Sequence, residues 1–285
     1  MNWLVEPWRS GIFVRGVLGA VLAGGLCGVV GTYVVLRRMS YIGHGLSHAV
    51  FGGAVVGYVA GNSFYLAGGL WGVLSALLIN GVSRTRKVGA DAAIGIVTTA
   101  SFAVGVALIS RGGRFTRNFE AALFGNILGI TVTDLWVLAG VALAVAAALF
   151  FLYKQLLFVT FDPEVAGAYG VRTGMVDAVF SVVLAAAILA SMRVLGVTLI
   201  AAAIVTPAVV ARLSTSSFSR MLGLAAAVGI VTGVVGMYVS WYADVASGAT
   251  ITLTAAALFA VVYVRTLVVG RAGRRLAALT DLEVR

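Results

Sequence analysis

Residues 1–285 read as one all-α, polytopic helical membrane protein of about eight to nine transmembrane helices, and three observations predict it. The chain is 61% hydrophobic and 11% charged, where a soluble domain carries about a quarter charged residues. Apolar runs of roughly 20 residues recur from end to end, each long enough to cross the hydrocarbon of a bilayer. Most of the basic residues behind the net charge of +10 cluster between and after those runs. That is the distribution of cytoplasmic loop anchors, not of a nucleic-acid-binding surface.

In chain order, the first run is Gly11 to Leu36. It is too long for a signal-peptide core and lacks a convincing cleavage site, so it reads as a retained span. It contains Cys27, the only cysteine, which excludes an intrachain disulfide and reads as a small packing residue. Arg37 and Arg38 follow. The next runs are 41–60, 64–82 and 91–110, with the weakly charged turn "GNSF" after the second and Arg84, Arg86 and Lys87 after the third. Beyond them, 133–153 is followed by 174–192 and 194–213, which only Arg193 and Gly196 punctuate, so eight spans is the alternative to nine. The last two runs are 219–242 and 249–269, joined by "YADVASGA", and "RAGRRLAALTDLEVR" (271–285) reads as a short cytoplasmic tail. With nine spans the basic loops after spans one, three, seven and nine share one side. This puts the N-terminus outside and the C-terminus in the cytoplasm. "RGGRFTRN" (111–118) opposes that orientation, and "FEAALFGNILGI" (119–130) is too short to span and reads as a re-entrant or interfacial helix.

Glycine is frequent inside the runs. Gly24 and Gly28, and Gly53 and Gly57, stand one helical turn apart, a spacing that lets helix backbones approach closely in lipid.

The long connection 154–174 contains a local helix signal. Asp162 can accept from free amides at a helix start, Pro163 suits the first helical position, and Glu164 favours the positive end of the dipole. Gly170 can adopt the left-handed conformation that ends a helix. A helix of about two turns is therefore expected from Pro163 to Tyr169, with Ala166 on its small, smooth surface. It is either an interfacial connector or a docking knob for a cytoplasmic partner.

Ionisable groups within spans are costly and usually face a bundle interior or a pathway. Here they are His44, His48, Asp91, Asp134, Asp177, Arg193 and Asp244. Asp91, Asp134 and Asp177 lie near span ends, where capping or headgroup roles are expected. His44 and His48, the only two histidines, share one helix face at i and i+4. Two imidazoles so placed can bind one borderline-soft divalent cation such as zinc. Two isolated histidines bonded to nearby carbonyls are the alternative.

Enzyme readings fall away. Gly45 and Ala49 follow the histidines, so no His-Glu-x-x-His metalloprotease motif exists. No phosphate-binding Gly-x-x-x-x-Gly-Lys-Ser/Thr loop and no nucleophile elbow occur either, so the chain does not itself hydrolyse ATP in the usual way.

Three blocks then resemble the permease subunits of the metal-uptake ABC transporters for zinc, manganese or iron. They are "LRRMSYIGHGLSHAVFGGAVVGY" (36–58), "FDPEVAGAYGV" (161–171) with "MRVLGVTLIAAAIVTPAVVARL" (192–213), and "VGMYVSWYADVASGATITLTAAALF" (235–259). "DAAIGIV" (91–97) and "LFGNILGITVTDL" (123–135) also fit. The resemblance implies a homodimeric or paired permease in the cell membrane, cytoplasmic ATP-binding subunits, and an extracellular or periplasmic protein that delivers the metal. It implies no permanently bound cofactor; the divalent metal, zinc or manganese, is cargo. It also implies that the helix at Asp162, Pro163, Glu164, Ala166 and Gly170 is the coupling helix. The histidine stretch matches the family's metal-site helix, which usually carries Asp, three residues, then His. Here His48 is kept and His44 stands where the Asp usually does, which favours zinc over manganese. Ser240 and Asp244 match a segment that would complete the site or guard its outer mouth. A permease for cobalamin or siderophore chelates and an ATP-independent carrier are the rival readings.

Overall fold

The computed structural model describes residues 4–61, 63–83, 88–112, 125 and 127–283. Among these, nine helices stand where the nine apolar runs lie: α1 Gly11–Leu36, α2 Ser40–Val59, α3 Phe64–Ser83, α4 Ala90–Gly112, α5 Val132–Phe151, then α8 Thr173–Leu195, α9 Ile200–Ser214, α10 Phe218–Ala243 and α11 Ser247–Glu283. Two short helices, α6 Tyr153–Phe161 and α7 Pro163–Ala168, lie between α5 and α8. Seven of the nine are long and apolar enough to cross a membrane. The other two differ for distinct reasons. α9 is only 15 residues long, and α2 is diluted by five glycines, two histidines and two serines. The basic loop 84–87, all but the first two residues of "RGGRFTRN", and most of the stretch expected to be re-entrant lie outside the described residues. Ile127–Gly129 is a single 3-10 turn.

Polarity and position agree in α2. It packs against α3, α4, α8 and α9, so all five of its glycines and Ser47 are buried against protein, while Ser40 and His44 stay exposed. α8 is the most enclosed apolar helix, with 72% of its most apolar window buried, whereas α11 has 11% and lies at the periphery. α1 crosses the middle and touches α5, α8, α9 and α10.

The expected close approaches form. A Cβ at Gly24 would land on the Gly229 carbonyl and one at Gly28 on the Ala225 carbonyl, so α1 and α10 touch backbone to backbone. On the other side, Gly53 and Gly57 receive Trp71 and Ala67 of α3. Van der Waals contact over such smooth faces stabilises helix pairs where lipid supplies no hydrophobic drive.

Aromatic residues mark both ends. At one end the Trp8 indole N–H donates to the Tyr238 hydroxyl (2.6 Å), and Phe13 meets Tyr238 and Trp241 edge-on, each at 5.2 Å. At the other end Phe218 lies 5.3 Å from Tyr33 and 5.8 Å from Tyr153. Amphipathic rings at two levels are the pattern of membrane interfaces. α11 starts at the Trp241 end, so its C-terminal half runs toward the end that carries α7. A reporter fused after Arg285 is accordingly expected to be active only in the cytoplasm; activity on the outer side would invert the orientation and move α7 outside.

Candidate metal pathway and docking helix

His44 and His48 sit on α2 with ring centroids 4.7 Å apart and planes at 79°. His44 is exposed and His48 half-buried. Phe102 of α4 closes on His48 edge-on at 5.1 Å, and Tyr41 flanks His44 at 6.1 Å. α4 comes this close because Gly45, between the two histidines, has no side chain: a Cβ there would collide with Ile94 and Thr98.

The third wall is an irregular turn. α8 ends at Gly196 (φ 82°), and the chain reverses through Val197 into α9. Val197 is fully buried, and non-helical backbone is tolerated in a membrane protein where protein encloses it. The Ser47 hydroxyl lies 2.7 Å from the His44 carbonyl and 3.1 Å from the Val197 carbonyl, tying the histidine helix to this turn.

His48 Nδ1 is buried and has no hydrogen-bond partner among the described residues. A neutral imidazole keeps one nitrogen lone pair, and one left unused is available to a cation. The two rings share one face of α2. No third His, Cys, Asp or Glu joins them among the described residues.

Ser240 and Asp244 lie at the α10–α11 turn. Ser240 is buried and donates to the Val245 carbonyl (2.7 Å), while Asp244 is exposed in the left-handed conformation (φ 53°) that ends α10. Asp244 is not gathered with the histidines.

The helix expected at Pro163 forms and ends one residue early, at Ala168. The Asp162 carboxylate accepts from the Val165 amide (3.0 Å), with Pro163 in the first turn. At the other end Gly170 (φ 81°) donates to Gly167 and Val171 donates to Ala166, each at 3.0 Å, closing the helix with paired reverse bonds. Ala166 is buried and anchors α7 to the body. Val165 (41% exposed) and the C-cap residue Tyr169 (79%) stand four residues apart with Glu164 exposed beside them, and Phe161 (64%) ends α6 just before the non-helical Asp162. α7 therefore offers an apolar face rimmed by a carboxylate.

Two ion pairs were not legible in the sequence. Asp134 caps α5 in a reciprocal box with Thr131, as its place at a span end suggested, but it also accepts from the Tyr65 hydroxyl (2.6 Å) and the Arg193 guanidinium (2.5 Å). Arg37 donates to Asp177 (2.9 Å) and to the Thr160 hydroxyl (3.0 Å). Opposite charges at the ends of different spans were the available signal, yet sequence does not say which ends meet.

Apolar helices of membrane-spanning length packed around the histidine helix, with a short capped helix at one end, define a multi-pass helical membrane protein. The chain belongs to the ABC 3 transport family, whose model matches residues 10–266. It is 40% identical over 250 residues to "Manganese transport system membrane protein MntC" of Halalkalibacterium halodurans, covering 87% of this chain and 85% of that one. It is 33% identical over 263 residues to the protein of the same name from Listeria innocua, covering 92% and 94%. Among solved structures it is similar to "PsaBC from Streptococcus pneumoniae in complex with Fab", with a TM-score of 0.84 and 29% identity over 92% of this chain and 94% of that one. The permease is a multi-pass protein of the cell membrane.

Proposed function

We propose that this permease carries a divalent metal ion, zinc or manganese, into the cell along a path in which His44 and His48 are transient ligands. The observation that carries the proposal is the His44–His48 pair on one face of α2, exposed at His44 and half-buried at His48, with His48 Nδ1 buried and unpartnered among the described residues. Relatives named for manganese transport support the metal class. Two imidazoles without a carboxylate lean toward the softer zinc ion. Ser240 and Asp244 belong to the outer mouth of the path and not to the ligand set. The working unit pairs two permeases, identical or not, with two cytoplasmic ATP-binding subunits and an extracellular metal-binding protein. α7 and the residues that flank it are the surface on which each ATPase docks, through Phe161, Val165 and Tyr169 and the carboxylate of Glu164. ATP hydrolysis belongs to those partners, and this chain supplies the path and the switch between outward and inward access.

The test is ATPase activity of the assembled complex with zinc, manganese and iron compared side by side. Stimulation by zinc or manganese is expected; equal activity with and without every metal overturns the reading. In the same assay Glu164→Arg, which puts a cation at the positive end of a short helix and reverses the charge of its rim, should insert normally and co-purify with several-fold less ATPase. Full recovery of ATPase and normal uptake would remove α7 from the docking role.

A further inference from the structure

We infer that Arg37 is the positioning residue that transmits movement of the docking helix to the histidine helix. This inference rests on the transport reading above. The Arg37 side chain is 8% exposed, and one guanidinium binds both elements flanking α7. Its Nε donates to Thr160 of α6, two residues before the Asp162 cap, and its Nη1 donates to Asp177 in α8, just after α7. The same guanidinium lies 4.6 Å from the Phe180 ring centroid, so the first turns of α8 hold it from two sides.

Arg37 is also joined stiffly to the metal site. It caps α1, and only Arg38 and Met39 separate it from the start of α2. Arg38 takes the left-handed conformation (φ 56°), its amide donates to Val35 (3.1 Å), and the Met39 amide donates to Val34 (2.9 Å). This is the reverse-bonded helix end usually formed around glycine. Short and closed by these paired bonds, the α1–α2 turn has little slack to absorb a displacement. His44 follows Ser40 by one helical turn. A shift of α6 and α8 about α7 therefore pulls on Arg37 and tilts α2 against Phe102 of α4 and the Val197 turn.

Arg37 Nη2 is buried without a partner among the described residues. A spare donor inside the joint lets the guanidinium exchange partners as the helices move, which a purely static clamp does not need. The planar fork of arginine serves two acceptors at once; a lysine offers a point charge.

The experiment uses the full complex of permease, ATPase and metal-binding protein in proteoliposomes. It measures ATPase recovery, basal and metal-stimulated hydrolysis, and metal ions carried per ATP. Thr160→Val removes one arm and Asp177→Asn weakens the other, while Arg37→Met paired with Asp177→Leu removes the joint without stranding a charge. All three should recover normal ATPase and keep basal hydrolysis within about two-fold. The double variant should lose metal stimulation at least five-fold and carry fewer ions per ATP, with the single variants between. Arg37→Lys should retain part of the coupling. If the variants lose yield or thermal stability while stimulation and ions per ATP stay at wild-type values, Arg37 is a structural clamp and the inference is wrong. If the wild-type complex itself shows no metal-stimulated hydrolysis, the transport reading has failed, a result distinct from the first.

Discussion

His48→Ala should reduce zinc uptake at least ten-fold while leaving expression, insertion and recovery of the ATPase unchanged. Removing even an outer-shell partner of a metal site costs about 10- to 100-fold, and His48 is half of a two-nitrogen set whose buried Nδ1 has no other use among the described residues. His44→Ala should behave alike, since one imidazole cannot retain an ion in competition with water. His44→Asp should be milder and should shift preference toward manganese, because a carboxylate is the harder donor. A packing role predicts the opposite order: alanine tolerated, and the intramembrane aspartate damaging to folding. Labelled zinc and manganese uptake by the three variants, normalised to the protein present in the membrane, separates these outcomes. Unchanged zinc uptake in both alanine variants would falsify the ligand assignment and leave the family membership intact.

Gly28→Val should leave little folded permease. Its new Cβ would occupy the place of the Ala225 carbonyl, and because the obstacle is backbone, no rotamer change relieves it. Overpacking into a yielding core costs about 1–3 kcal/mol, and forcing α1 from α10 belongs at or above the upper end of that range. Against a typical stability of about 5–15 kcal/mol, this is a large fraction. Gly24→Val, which meets the Gly229 carbonyl, should be equally harmful. Gly140→Val and Gly223→Val place the same bulk where nothing lies within 4 Å and should be nearly silent. Thermal unfolding of the detergent-solubilised variants measures the difference. Similar melting temperatures for Gly28→Val and Gly140→Val would show that α1 and α10 do not approach as closely as described.

The elements most legible in the sequence were those whose signal is local. An apolar run declares a span because about 20 residues of hydrocarbon-compatible side chain fit one bilayer thickness. The caps of α7 were readable because Asp162, Pro163 and Gly170 act on backbone groups within a few residues. The histidine face was readable because i and i+4 superpose on any helix. The place of Gly45 between His44 and His48 was visible too, but not that it admits Ile94 and Thr98 of α4.

By itself, then, the sequence determined the membrane class, the positions of the helices, the short capped helix α7, and the pairing of two imidazoles on one face. All of these follow from interactions over one or two helical turns or from transfer between water and lipid. Tertiary structure decided the rest: that α2 is enclosed despite its modest hydropathy, that the α8–α9 turn abuts the histidines through Ser47 and Val197, and that Asp244 stands apart from them. It also chose the ionic partners, Arg37 with Asp177 across 140 positions and Arg193 with Asp134 across 59. A charge in a sequence carries its sign and its cost of burial, but its partner is set by which helix ends the packing of glycine faces brings together, and that is a property of the whole bundle.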